Sequence, residues 1–261
     1  MNLRQKIRNK IPTLGTWITL YHRGIVEIAC NSGLDWICID LEHSSIDFDQ
    51  AATLISIARS RAVPALVRLS SNDAVQIKRI MDAGAEGIIV PMVKTREEAI
   101  HAYKSLHYPP LGFRGVGLST AQSYGASFQE YQEWQKSGPI LIVQIEHIES
   151  VKNLESILAL DEVDGYLVGP YDLSASMHIP GQFEHPDFKK VMESINAITS
   201  QIEKSSGIHL VEPDVEKLKE FVRLGYAFIA ISFETRILDV FFRGAVSAFQ
   251  KQKTVTGQPS A

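Results

Sequence analysis

Short aliphatic and β-branched runs alternate with stretches whose apolar residues recur every three to four positions, from Leu14 almost to the end of the chain. The runs predict eight strands, near residues 14–20, 36–41, 65–69, 87–91, 140–145, 165–168, 209–211 and 228–232. Between them Phe48, Ala51, Ala52 and Ile55 fall at i, i+3, i+4 and i+7, and Ala74, Ile77, Met81 and Val151, Leu154, Leu158 occupy three of those positions. Each set lays one apolar stripe on a sheet. Gly84 and Gly225 stand where a helix should stop before the next strand. The strands read apolar on both faces, as parallel strands covered by helices do. The expected fold is α/β, a single closed (β/α)8 TIM barrel over residues 1–250. An open doubly wound sheet is the alternative, but the GxGxxG turn of a dinucleotide site is absent.

Two segments depart from the rhythm. Residues 107–127 hold Pro109, Pro110, Gly112, Gly115, Gly117 and Gly125, too glycine-rich for a plain connector, and predict a functional loop on the fourth or fifth unit. Residues 237–246 predict a terminal helix apolar around most of its circumference, with one face for the barrel and the other for a partner subunit. Residues 251–261 form a polar tail expected to fray.

Composition removes several classes of function. With 45% hydrophobic and 21% charged residues and a net charge of -4, the chain reads as an ordinary globular protein. It has no basic stripe for nucleic acid and no polybasic segment for a membrane. No apolar run is long enough to span a bilayer, and the basic start Met1–Arg8 lacks the apolar stretch of a signal peptide. Cys30 on a helix and Cys38 in a strand, with no CxxC pair, predict two reduced core thiols. The expected compartment is the cytoplasm.

In a barrel of this kind the reactive groups lie at the carboxyl ends of the strands. Those ends carry Asp40, Glu42 and His43, then Arg68, then Glu146, then Gly169, Pro170, Tyr171 and Asp172. Strand alternation puts Gln144 and Glu146 on one face, with Ile145 opposite. Glu146 and Asp172 brought together without a cation would repel. Mg²⁺ or Mn²⁺, which favours oxygen ligands, removes that penalty. The bland reading is a solvated Glu146 and an Asp172 that caps the helix from Leu173. Arg68 could hold a developing oxyanion, or merely pair with Asp73. Asp40 and His43 could form a base, the carboxylate fixing the imidazole. A Schiff-base mechanism needs a lysine at this rim, and Lys94, the nearest, lies past its strand.

These residues resemble the metal-dependent pyruvate aldolases of the HpcH/HpaI family, which includes 4-hydroxy-2-oxoheptanedioate aldolase and 2-dehydro-3-deoxyglucarate aldolase. The likeness rests on Asp35-Trp36 leading into Asp40-Leu41-Glu42-His43, on Val67-Arg68, and on Ile89-Val90-Pro91-Met92-Val93. It continues through Arg114-Gly115-Val116-Gly117, Val143-Gln144-Ile145-Glu146 and Gly169-Pro170-Tyr171-Asp172-Leu173-Ser174, so it covers nearly the whole chain. Single motifs of this kind are weak, but six in order are specific.

The resemblance implies a phosphoenolpyruvate/pyruvate-type barrel whose last helix is exchanged between subunits of a homo-oligomer, commonly a hexamer. It implies a divalent metal, Mg²⁺ or Mn²⁺ with Co²⁺ as a substitute, on Glu146 and Asp172, and no organic cofactor. Pyruvate is chelated through its carboxylate and keto oxygens, Arg68 stabilises the enolate, and His43 with Asp40 handles the proton through a water. Trp17 lines the pocket near the aldehyde, while the Gly169-Pro170-Tyr171 turn brings the N–H groups at the start of the helix following Pro170 to the pyruvate carboxylate. The expected activity is class II aldol cleavage of a 4-hydroxy-2-oxo acid to pyruvate and an aldehyde, and its reverse. Differences fall in the aldehyde half: residues 118–125 lack the arginine common near Thr120 or Gln122, Tyr171 replaces a smaller residue, and Glu212 is acidic. They turn the expectation away from dicarboxylate and sugar-acid substrates. A lyase acting on an acyl-coenzyme A would want a basic patch for phosphates, and none is found. A catalytically silent barrel serving as a binding subunit would be free to lose Glu146, Asp172, Arg68 or His43, and all four are present.

Overall fold

The computed structural model of the protein describes residues 1–255. Eight parallel strands, β1 (Thr13–Ile18), β2 (Trp36–Asp40), β3 (Ala65–Arg68), β4 (Gly87–Val90), β5 (Ile140–Ile145), β6 (Gly165–Val168), β7 (Ser205–Leu210) and β8 (Phe228–Phe233), close into a barrel in chain order. The first half of the helical layer is α1 (Leu3–Arg8), α2 (Arg23–Asn31), α3 (Phe48–Ser60), α4 (Ala74–Ala83), α5 (Arg96–Leu106) and α6 (Phe128–Gln135). The second half is α7 (Ile148–Lys152), α8 (Leu154–Leu158), α9 (Pro170–Ser176), α10 (Pro186–Thr199), α11 (Val215–Arg223) and α12 (Glu234–Val255). The closed barrel excludes the open-sheet alternative.

Most strands are apolar on both faces because each face meets a different partner. In β2, Trp36 and Cys38 join the barrel interior with Leu66, Ile142 and Phe228. Ile37 and Ile39 instead meet the helical layer with Val67, Ile88 and Val143. Each fully buried side chain of this size contributes roughly 1.5–3 kcal/mol. Trp36 stacks on Phe228 at 4.1 Å, and a Cβ on Gly15 would overlap the Trp36 ring. Below that layer α1 plugs the amino end through Leu3 and Ile7, tied down by Arg4 and Arg8 on the buried Asp164 carboxylate. The carboxyl end is left as the open mouth.

Helix starts account for several of the polar residues. Asp47 with Gln50 and Thr95 with Glu98 make capping boxes on α3 and α5, and Asp73 accepts the Gln76 N–H to cap α4. Cys30 and Cys38 are free and buried. Among the described residues no helix is long and apolar enough to cross a membrane.

Three expectations are corrected and the place of a fourth segment, residues 107–127, is made definite. β7 begins at Ser205, four residues before 209, because its early positions are Ser-Ser-Gly rather than β-branched: a Cβ on Gly207 would come within 2.7 Å of Leu167. The Val151–Leu158 stripe is broken at Asn153, whose side chain donates to the Lys94 carbonyl, so it forms two short helices. Residues 107–127 follow a helix, so they lie toward the amino end of the barrel, where Arg59 holds the Thr120 and Ala121 carbonyls and Arg114 is buried against Tyr108. They do not line the mouth of their own chain. The terminal helix runs to Val255, so the first part of the expected tail is helical; residues 256–261 fall outside the described residues. Along α12, Phe241, Phe242, Val246 and Phe249 are exposed.

Candidate active site

The strand ends converge on a cavity of about 430 Å³ at the mouth. Asp40, His43, Arg68, Glu146, Asp172, Trp17 and the Gly169-Pro170-Tyr171 turn all line it. The expected residues are thus brought to one place, although their pairings differ from the expectation.

Arg68 forms a two-pronged ion pair with the buried Asp40, Nε to Oδ1 at 2.8 Å and Nη2 to Oδ2 at 2.6 Å. Its third nitrogen, Nη1, lies 3.1 Å from Glu42 Oε2, and the guanidinium stacks 4.2 Å over the Trp17 ring. Burial opposes the charge on Arg68, but the Asp40 hydrogen bonds together with the charges of Asp40 and Glu42 raise the pKa. Asp73 is not its partner. Nor does Asp40 hold the His43 ring: its carboxylate is taken by Arg68 and meets His43 only through the backbone N–H at 3.4 Å. The acid beside the imidazole is Glu42, 3.9 Å from Nε2, and the His43 side chain is 63% exposed. A fork donor outcompetes a single ring N–H for a carboxylate, which explains why Asp40 positions Arg68 rather than His43.

Glu146 is buried beside Gln144, which donates Nε2–H to its Oε2 at 2.8 Å. Its Oε1 accepts the Met92 N–H at 2.6 Å. Met92 has φ of +54°, a left-handed conformation that costs a non-glycine residue of order 1–3 kcal/mol and recurs at functional sites. Burial pushes the Glu146 carboxyl up to about 7; the Met92 N–H opposes the rise, and the Glu42 and Asp172 charges add to it. Burial likewise raises Glu42. Gly169 closes over this acid: a Cβ there would lie 2.5 Å from Glu146 Oε2. Pro170 then starts α9 with Asp172 in its first turn, and the Asp172 side chain is not the cap.

Asp40, Glu42 and Glu146 therefore share the field of one arginine, and Asp172 adds a fourth acid beside them. Gln144 Oε1 is buried without a partner. Among the described residues no group of three or more His, Cys, Asp or Glu side chains is arranged to hold a metal. Two carboxylates with a spare amide oxygen nonetheless fit a hard cation of the Mg²⁺ type, which takes few protein oxygens and fills its octahedron with water and substrate.

The HpcH/HpaI aldolase/citrate lyase family model matches residues 13–239, from the first residue of β1 into α12. The chain belongs to the HpcH/HpaI aldolase/citrate lyase family. Membership makes it a carbon–carbon lyase, and every residue of the mouth lies inside the matched span. The chain is 32% identical over 247 residues to a 4-hydroxy-2-oxo-heptane-1,7-dioate aldolase of Salmonella dublin, covering 94% of this chain and 93% of that one. An HpcH/HpaI aldolase/citrate lyase family protein from Burkholderia cenocepacia superposes with a TM-score of 0.86 at 29% identity, over 95% of this chain and 98% of the other. An HpcH/HpaI aldolase from Desulfitobacterium hafniense gives 0.84 at 29%, over 96% and 97%.

Sequence reasoning missed His209, which stacks on Trp17 at 5.0 Å and lines the same cavity with Thr19, Phe233 and Thr235. The signal was present: starting β7 at Ser205 puts positions 205, 207, 209 and 211 on the inward face. It also left Met92 unassigned, because the aim of a backbone N–H is not written in side-chain type.

Proposed function

We propose that the protein is a class II pyruvate aldolase, cleaving a 4-hydroxy-2-oxo acid to pyruvate and an aldehyde, or joining them, in the cytoplasm. The observation that carries this reading is the buried Glu146 carboxylate, which lines one cavity with Asp172 and Arg68 at the mouth of a barrel 32% identical to such an aldolase. Glu146 and Asp172, with Gln144 Oε1 nearby, would hold Mg²⁺, Mn²⁺ or Co²⁺. When bound, the cation supplies Lewis-acid polarisation of the substrate's 2-oxo group.

The chain's own groups supply the rest. In cleavage, the His43 imidazole, open to the cavity, takes the proton of the 4-hydroxyl group. The C3–C4 bond breaks, C4 becomes the aldehyde, and the electron pair passes through C3 to the oxygen on C2. Arg68, fixed by Asp40 and Trp17, stands ready to receive that negative charge. A proton returned to C3 completes pyruvate. Backbone N–H groups at the start of α9 orient the pyruvate carboxylate, an arrangement for which Gly169 and Pro170 leave room, and Tyr171 covers the side of the site.

The exposed Phe241, Phe242, Val246 and Phe249 stripe of α12 supports a homo-oligomer in which this helix lies on another copy, a hexamer by family likeness. The functional test is pyruvate release from a 4-hydroxy-2-oxo acid. Chelator should abolish it, Mg²⁺, Mn²⁺ or Co²⁺ should restore it, and borohydride with pyruvate should leave the protein unlabelled. A stable adduct on Lys94, or full activity in chelator, would overturn the reading.

A further inference from the structure

Beside Trp17 the cavity is lined by a histidine that the reaction described above does not use. His209 Nε2 faces the Ser232 carbonyl oxygen at 3.4 Å. A carbonyl only accepts, so Nε2 carries the hydrogen and Nδ1 is left with its lone pair. No described protein group donates to Nδ1. The ring is fixed on the side of Trp17 at 5.0 Å with the Phe233 ring 6.0 Å away, and it lines the cavity.

The carbonyl that sets this tautomer is itself placed by an irregularity of the barrel. Gly15 pairs with Ala230 but Trp17 pairs with Phe233, so β8 carries one extra residue there. Within that bulge Ser232 adopts φ of +49° and is buried, with its hydroxyl donating to the Val211 carbonyl at 2.8 Å. Bulges of this kind re-aim groups beside active sites. Burial also holds the His209 pKa down, to about 4, against the opposing Ser232 hydrogen bond, so the ring is neutral at neutral pH.

The charge behind this wall is negative. Glu234, also buried, takes the Thr19 N–H at 2.7 Å and the Thr19 hydroxyl at 2.9 Å, and its Oε2 has no partner. Arg236 is engaged by Glu212 at 2.8 Å and Asp239 at 2.7 Å. Among the described cavity-lining residues Arg68 is the one Lys or Arg, and Asp40 occupies it. A carboxylate on the far end of a substrate would meet a lone pair and aromatic rings, with the Glu234 acid behind Thr19. A hydroxyl group would meet an acceptor.

We propose that His209 selects the aldehyde half of the substrate: its Nδ1 accepts the hydroxyl of a short, uncharged hydroxyaldehyde, and the wall around it turns away aldehydes that carry a carboxylate. This rests on the aldolase reading above, and the two fail differently in one set of assays. Glycolaldehyde and propanal are nearly isosteric, differing by a hydroxyl in place of a methyl, and glyoxylate is the acidic counterpart. Each is condensed with pyruvate by the Mg²⁺-loaded full chain, and kcat/KM is compared. Intrinsic reactivity differences cancel when variant is divided by wild type. His209→Leu should lower the glycolaldehyde-to-propanal ratio about tenfold, the worth of one hydrogen bond to a desolvated acceptor. His209→Asn, which restores an acceptor near Nδ1, should bring the ratio back to within about threefold of wild type.

A ratio unchanged in the leucine variant overturns the proposal, as does wild-type enzyme using glyoxylate better than glycolaldehyde. The second comparison needs no variant and stands even if His209→Leu does not fold. Exchange of the pyruvate methyl hydrogens with D₂O, followed by NMR, separates the two claims. Wild-type enzyme that exchanges but does not discriminate sinks the selectivity alone, and enzyme that does not exchange sinks the aldolase reading and the selectivity with it.

Discussion

Replacing Arg68 with alanine tests the account where stability and chemistry are entangled. The Asp40 side chain is 2% exposed and that of Arg68 14%. Removing the guanidinium leaves a buried carboxylate without its counter-charge, which typically costs about 3–5 kcal/mol. Two backbone N–H groups, from Glu42 at 3.0 Å and His43 at 3.4 Å, still face Asp40 Oδ1. They place the expected loss near the lower end, about 3 kcal/mol, or roughly 6–12 °C in Tm for a chain of this size. Loss of the oxyanion donor should separately cost about a hundred- to a thousandfold in kcat. Arg68→Ala alone therefore lowers both quantities. The discriminating protein is Arg68→Leu with Asp40→Asn, which removes the orphaned charge. Differential scanning calorimetry should show most of the stability returning, while kcat for pyruvate release stays at least about a hundredfold down. Recovery of turnover along with Tm would refute the assignment, because Arg68 would then matter only as the partner of Asp40.

Two further perturbations follow from single contacts. Gly169→Ala places a Cβ 2.5 Å from Glu146 Oε2; it should displace that carboxylate and abolish Mn²⁺ binding, read by electron paramagnetic resonance, at an overpacking cost of about 1–3 kcal/mol. Wild-type affinity for Mn²⁺ in this variant would show that the α9 turn is not needed to shape the site. His107, away from the mouth, sets a pH dependence of stability: its Nδ1–H donates to the Gln135 carbonyl at 2.7 Å, its Nε2 is buried without a partner, and burial lowers its pKa to about 4. Above the unfolded value near 6.5 both states are neutral and stability is full; below it the unfolded chain binds a proton that the fold refuses, so stability falls with pH until about 4. The loss should approach roughly 3 kcal/mol. Denaturant titrations at pH 7.5, 6, 5 and 4 should show it, and His107→Gln should flatten the slope; an equal slope in both proteins would remove His107 as its origin.

Much of the fold could be read from alternation alone, because two-faced apolar strands and one-faced helices leave few architectures besides a closed barrel. Glu146 was legible for the same reason: two residues beyond Gln144 on an apolar strand, it had to point inward near the rim. What escaped were features set by partners. Asp40 and His43 are neighbours in sequence, yet Asp40 is claimed by an arginine from the next strand, whose fork geometry wins over a single imidazole N–H. The glycines of residues 107–127 marked a loop on the fourth or fifth unit without saying at which end of the barrel it lies; connections after a helix return to the end opposite the mouth. His209 escaped because Ser205-Ser206-Gly207 does not look like strand, and the small residues there make room for Leu167.

The central claim is that Glu146 and Asp172 grip one divalent ion with an open edge toward a 2-oxo acid. Crystals grown with Mn²⁺ and pyruvate, measured at the manganese absorption edge, test it most directly. The account predicts an anomalous peak within about 2.0–2.3 Å of an oxygen from each carboxylate, with pyruvate beside it. Full-occupancy pyruvate with no anomalous density between those two side chains would contradict it.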